Sequence, residues 1–283
     1  MYINYKKCIF IVTANELRRN KMKIKKLLAL SLCLVTVFAL AGCGSSTSSE
    51  KKDKYIAVTE PTYPPFESTN DDGDVVGFDI DLIHAIAKDQ GFKVEIKTMS
   101  FDSLVSAVES DQADMIIAGF NETKDRAKHV DFTDPYYKAG AYMMVKKDSK
   151  YNSESDLPDD VKIAVQTGTT TADYVKEMHK DGKCADPVVL DQHSTCVLQL
   201  DNGDVDVVAG DKPVLDQYVT KHPDKYKLIG HLSYEDGDTD LKMAVGKDDD
   251  TLKQMLNDGL KDVMEDGTYD KLCKKWGLTP MEH

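Results

Sequence analysis

Base in surplus, a long apolar span and the common catalytic signatures are all missing from this 283-residue chain. Its 49 Asp and Glu outnumber 36 Lys and Arg, for a formal net charge of −13, which argues against a nucleic-acid partner because phosphate contact needs clustered base. The apolar run at 27–40 falls short of the roughly 20 residues that a membrane span requires. No Gly-rich phosphate loop, paired-His metal helix or Ser elbow occurs. The seven His residues (His84, His129, His179, His193, His222, His231 and His283) never fall at ligand spacing, so surface or satisfied polar roles are expected. Asp236, Asp238 and Asp240 imitate the start of a calcium loop, but Leu241 stands where Gly is required and Lys247 where the closing acid belongs, so they read as a solvated loop. No metal or cofactor is expected, and no internal repeat is visible.

What is present begins with an uneven charge distribution. Residues 1–43 hold eight basic residues and one acid, Glu16, leaving 28 basic against 48 acidic residues beyond. From Met22 a basic stretch precedes the apolar run, which ends at Leu40-Ala41-Gly42-Cys43. That is the three-part layout of a secretory signal. The four closing residues resemble the bacterial lipobox, a likeness that implies lipidation of Cys43 and a lipid-anchored, extracytoplasmic protein. Residues 1–42 are therefore set aside as signal, with 1–21 a candidate overcalled start because Met22 makes a conventional one. Residues 43–53 are polar and aperiodic, and read as a flexible tether. Of the later cysteines, Cys184, Cys196 and Cys273, the first two could pair or all three could stay free.

The body alternates short β-rich runs with amphipathic stretches, the pattern of α/β layers. Strands are expected at 55–58, 94–96, 115–118, 142–145, 163–165, 188–190, 205–209 and 228–229. Helices are expected at 79–88, 102–109, 170–179, 194–200, 213–220 and 251–265. In the last, Leu252, Met255, Leu256, Leu260 and Val263 make one apolar stripe, so its Met residues read as core filling.

Five segments stand out. Glu60-Pro61-Thr62-Tyr63-Pro64-Pro65-Phe66 follows the first strand, and Gly77-Phe78-Asp79-Ile80-Asp81-Leu82 heads a helix. Residues 118–126 lead from a strand towards 130–137, Gln166-Thr167-Gly168-Thr169-Thr170 opens another helix, and Asp266-Gly267-Thr268-Tyr269-Asp270-Lys271 lies near the end. In unbroken order over about residues 54–278, they resemble the bacterial extracellular solute-binding proteins of family 3, which deliver polar amino acids to ABC importers. The resemblance implies an α/β, two-lobed periplasmic-binding-protein-like (type II) fold with two crossing hinge strands. Carried onto this chain, lobe one takes 54–138 plus 236–283 and lobe two takes 142–232.

The resemblance also assigns roles. Arg126 matches the family's carboxylate-binding Arg, whose guanidinium can grip both oxygens, although alone it reads equally as a surface Arg between Lys124 and Lys128. Thr169 and Thr170, after Gly168, open a helix whose N–H groups face an anion, and Thr also serves as an ordinary cap. Asp211 matches the acid that pairs with the ligand's ammonium, with Ala118, Gly119 and Asn121 completing the shell. Tyr63 and Phe101 match aromatic walls around the ligand side chain. Glu60 stands where relatives often carry Asp, as the one acid expected in the side-chain pocket, and Gln166 at a position that varies with specificity. Gly210 falls where some glutamine binders carry a larger polar residue, leaving room.

The expected function is thus a monomeric, lipid-anchored receptor that binds a polar amino acid by lobe closure and docks on permease subunits, with a cationic ligand slightly favoured over glutamine or cystine. Two rivals are weighed. An enzyme of the cyclohexadienyl dehydratase kind, on the same scaffold, would need a general acid over its substrate. A ligand sensor would need a signalling domain.

Overall fold

The computed structural model describes residues 51–232 and 239–282. The signal at 1–42, Cys43 with most of the tether, and Asp236 and Asp238 lie outside the described residues.

The chain forms two five-stranded mixed sheets, each the centre of one lobe, and a small three-stranded sheet beside the first. The first sheet opens with β1 (Lys54–Thr59), which pairs in parallel with β5 (Lys93–Thr98) on one side and β6 (Met115–Ile116) on the other. β13 (Asp240–Gly246) and β7 (Val130–Lys138) complete it, β13 running antiparallel to both its neighbours. Strands flanked by parallel partners are covered on both faces and lose the alternation of an edge strand, and Ala57, Val58, Met115 and Ile116 are all fully buried.

The second sheet repeats the scheme. β9 (Ile163–Gln166) lies between β10 (Val188–Leu190) and β11 (Val207–Asp211), both parallel to it, followed by antiparallel β8 (Ala141–Lys146) and β12 (Tyr226–His231). The chain crosses between sheets twice, from β7 into β8 and from β12 back towards β13. The crossings stay together: Ala139 N–H donates to Thr239 O at 3.2 Å, and Lys138 is the register partner of Asp240. This is the two-lobed type II architecture. Among the described residues no helix is long and apolar enough to cross a membrane.

Helices cover the sheets with the expected stripes. α1 (Phe78–Gln90) buries Ile80, Ile83, Ile86 and Ala87 against the first sheet and packs on α6 (Asp250–Glu265), whose Leu252, Met255, Leu256, Leu260 and Val263 are buried. α7 (Thr268–Trp276) follows and seats Tyr269 in the same core. In lobe two, α3 (Thr170–Lys180), α4 (His193–Asn202) and α5 (Lys212–Lys221) flank the second sheet.

Some boundaries move. The helix expected at 102–109 starts as a 3-10 turn, Phe101–Ser103, before α2 (Leu104–Glu109). The strand expected at 205–209 is β11, two residues later, so Asp211 is its last residue rather than part of a following loop. β7, β13 and the small sheet of β2 (Thr62–Tyr63), β3 (Glu67–Thr69) and β4 (Val75–Val76) were not among the expected strands. Asp240 opens β13 and is no part of a calcium loop. Cys184, Cys196 and Cys273 are all free and buried. Cys184 and Cys196, which sit in different hydrophobic clusters of lobe two, are therefore not bridged in this structure.

Candidate functional site

Both sheets point strand ends at the seam between the lobes. There Glu60, Tyr63, Glu67, Phe101, Gly119 and Asn121 from lobe one meet Gln166, Thr169, Thr170, Thr171 and Asp211 from lobe two around one pocket. Nine of the twelve residues expected from sequence line it. The other three are Ala118, Arg126 and Gly168. Ala118 is buried in the hydrophobic cluster behind Phe101. Arg126 and Gly168 face each other beside the pocket.

Arg126 bridges the lobes. Its Nη1 donates to Asn121 O at 2.6 Å and its Nη2 to Gly168 O at 2.8 Å. The guanidinium lies over Phe120, 4.0 Å from the ring centroid, and 5.4 Å from that of Phe101, a cation–π arrangement that desolvates the charge without discharging it. Burial lowers its pKa to about 10, so it stays cationic at neutral pH.

The turn from β9 into α3 supplies the opposite wall. Thr169 is the N-cap of α3: its Oγ1 accepts from Ala172 N at 3.1 Å and donates to Gln166 O at 2.8 Å. The capping role is therefore real, and the helix start beside the pocket makes the N–H groups there a favourable neighbour for an anion.

Acids dominate the remaining wall. Glu60 Oε2 accepts from Thr62 Oγ1 at 2.7 Å and, across the seam, from Gln166 Nε2 at 3.0 Å. Burial raises its pKa against those bonds. Asp211 is pushed up to about 7 by burial, which outweighs the hydrogen bond from Tyr63 and the charge of Arg126.

Glu67, which the sequence reading left out, also lines the pocket and corrects the expectation that Glu60 is the one acid there. Behind it lies Asp79, fully buried, whose Oδ2 accepts from Gly119 N at 2.9 Å and from the Tyr136 hydroxyl at 2.7 Å. Asp79 therefore ties the helix-heading motif to the loop that forms the pocket. Among the described residues Glu67 Oε2 and Asp79 Oδ1 are buried with no other donor, and the two carboxyls lie within hydrogen-bonding reach of one another. That contact requires a proton between them. Burial, and then the charge of Asp79, lift Glu67 well above the usual carboxylate range, and burial lifts Asp79 to about 6, so the pair shares one proton.

Two further expectations are corrected. His193 is neither exposed nor satisfied: it is 1% exposed and neither ring nitrogen has a hydrogen-bond partner among the described residues. It packs edge-on against Tyr63, with ring centroids 5.1 Å apart, and burial pushes its pKa down to about 4, leaving it neutral. Nor does Gly210 leave room, because a Cβ there would lie 2.8 Å from His193 Nε2. The imidazole from α4 fills the space that a side chain at 210 would take. Thr171 also lines the pocket and was missed.

Comparison with known proteins agrees with the fold. The model of "Bacterial extracellular solute-binding proteins, family 3" matches residues 55–279. Among curated relatives, the "Probable histidine-binding protein" of Neisseria gonorrhoeae is 33% identical over 264 residues, covering 90% of this chain and 96% of that protein. The "ABC transporter arginine-binding protein 1" of Escherichia coli K12 is 34% identical over 220 residues, covering 76% and 87% respectively. Among solved structures, an ancestral arginine-binding protein bound to arginine superposes with a TM-score of 0.74 at 38% identity, covering 80% of this chain and 99% of that one.

Proposed function

The chain belongs to family 3 of the bacterial extracellular solute-binding proteins, and we propose that it captures a free amino acid between its lobes for delivery to an ABC importer, with a cationic side chain preferred. One observation carries the preference: Glu60 and Asp211 both line the pocket, with Arg126 at its edge as the opposing cation, while Glu67 shares a proton with Asp79 behind it. Burying carboxylates without a counter-charge is costly. An amino acid with a cationic side chain brings two positive groups and one negative, which suits that set better than a neutral ligand does.

In this reading Arg126 and the N-terminus of α3 hold the ligand carboxylate. Asp211 and Asn121 hold the ammonium end, and Glu60 with Gln166 holds the end of the side chain, between Tyr63 and Phe101. Ligand contact with both lobes favours the closed arrangement over any open one, so binding and closure are one equilibrium. The names of the relatives, which bind histidine or arginine, support the class. The protein works outside the cytoplasmic membrane, held by a lipid on Cys43, as a monomer.

Titration calorimetry of the purified protein against the twenty amino acids and ornithine tests this reading. Tight binding of arginine, lysine, ornithine or histidine is the expected result, and exclusive binding of glutamine or cystine would overturn the preference. One observation favours a second reading as an enzyme, since Glu67 lines the pocket and shares a proton with Asp79, as a general acid could. That reading requires loss of water from an aromatic precursor in the presence of the protein. Binding without turnover decides for the receptor.

A further inference from the structure

Beside the pocket lies a second space, a groove of about 530 Å³ walled by both lobes. Lobe one contributes Met99 and Ser100, lobe two contributes Leu190, Asp191 and Thr195, and Glu60 lines groove and pocket alike. Where they meet, Gln166 Nε2 donates to the Glu60 carboxylate Oε2 at 3.0 Å and to the backbone O of Asp191 at 3.1 Å, tying a pocket residue to two residues of the groove.

We propose that this groove is a subsite for a substituent on the far end of the ligand's side chain, so that the receptor accepts cationic amino acids whose side-chain nitrogen carries an additional small group. The inference rests on the amino-acid reading above, which places the side-chain end at Glu60 and the carboxylate end at Arg126. A group attached to the side-chain nitrogen enters the groove. A group attached to the carboxylate, as in a peptide, points towards Arg126 and Gly168 and finds no such space.

The walls define the chemistry of the substituent. Glu60 and Asp191 are acids, Ser100 and Thr195 present hydroxyls, Met99 and Leu190 present apolar surface, and among the described residues lining the groove there is no Lys or Arg. Methyl and other alkyl groups, neutral or positive, are matched; acidic ones are opposed by charge. The volume is in the range that holds small organic ligands, about 300–1,000 Å³. A substituent there touches both lobes and so adds to closure.

The test compares parent and substituted ligands on the full protein by titration calorimetry. Arginine and lysine are the parents, Nω-methylarginine and ε-N-methyl-lysine the substituted probes, and ε-N-carboxymethyl-lysine, whose side-chain nitrogen also keeps its charge, the acidic control. The substituted probes should bind within about tenfold of their parents and the acidic control about a hundredfold more weakly. Ser100→Trp and Thr195→Trp, which fill the groove from its exposed and half-exposed sides, should weaken the substituted probes about tenfold or more while leaving the parents within about threefold. If the substituted probes bind about a hundredfold more weakly than their parents, or if filling the groove leaves them unaffected, the subsite is overturned while the amino-acid reading stands. If neither parents nor probes bind, both readings fall together, and the silent parent titration identifies that case.

Discussion

The hydroxyl of Tyr63 accepts a hydrogen bond from the backbone N–H of Asp211 at 3.0 Å, joining the small sheet of lobe one to the last residue of β11 in lobe two. Tyr63 also stabilises the Asp211 carboxylate. The acid proposed to meet the ligand's ammonium is thus tuned by a residue from the opposite lobe. Separating the lobes removes that help, so the pocket's electrostatics depend on closure.

Removing either end of the clamp should nearly abolish binding. Losing one partner of a buried charge pair costs about 3–5 kcal/mol, or about a hundredfold or more in affinity. Arg126→Ala and Asp211→Asn should each show this by calorimetry, and near-native affinity in either variant would misplace the site.

Glu60→Gln tests the side-chain end. For a cationic ligand a charge-assisted bond becomes a neutral one, and the expected loss is on the order of 2 kcal/mol. A glutamine-type ligand should lose less, because an amide can pair with an amide. Equal losses for arginine and glutamine would contradict the assigned role.

The buried acids make stability depend on pH in a definite direction. Asp79 and Asp211 rise from an ordinary 3.8 to about 6 and about 7 through burial. Between about pH 4 and 7 the folded protein holds protons that the unfolded chain has released, so this contribution is full below about pH 4 and is lost as pH rises through the folded values. Asp131 and Asp201, lowered despite partial burial by hydrogen bonds from Lys247 and Lys225, act only below that window. His193, pushed down to about 4 by burial, works the other way between about pH 4 and 6.5, but the two acids together outweigh it, so melting without ligand should occur at a higher temperature at pH 5 than at pH 8. Asp79→Asn should flatten the profile, and a melting temperature that climbs from pH 5 to pH 8 would count against the buried-acid account.

Gly210→Ala should weaken binding by forcing His193 off Tyr63, since the new Cβ would meet His193 Nε2 at 2.8 Å. His193→Ala in the same chain should restore part of the loss by removing the clash. A double-mutant cycle reads this coupling directly, and strict additivity of the two changes would show that the residues act independently.

Cys43→Ser should abolish lipidation, because the thioether needs the thiol. Labelled fatty acid and membrane fractionation report the outcome; unchanged incorporation would remove Cys43 as the anchor.

How much of this was legible beforehand depends on whether the signal was local. β10 and the start of α3 at Thr170 were readable because an apolar run or a Gly-Thr-Thr cap announces them within a few residues. β7 and β13 were not. Asp131, Asp134 and Pro135 interrupt any alternation in β7, and its partner lies about a hundred residues away, with two register shifts between them. Site residues carried by motifs, such as Thr169 and Asn121, could be named from sequence. Glu67, Asp79 and His193 could not be given their environments, since nothing adjacent to an acid or an imidazole reveals that a distant segment will bury it.

The double crossing also bears on the order of assembly. β8 to β12 are one unbroken stretch, whereas the first sheet needs β13 to fill the gap between β6 and β7. The second lobe can condense as soon as its own residues are available. The first must keep Phe66, Phe78 and Ile83 exposed until α6 and α7, near the end of the chain, arrive to cover them. Pulsed hydrogen exchange during refolding should accordingly protect β9 and β11 before β1 and β6. A chain that emerges N-terminus first thus presents its stickiest surface early and completes it last, which makes the interval before the C-terminal helices dock the period of greatest exposure to aggregation and proteolysis.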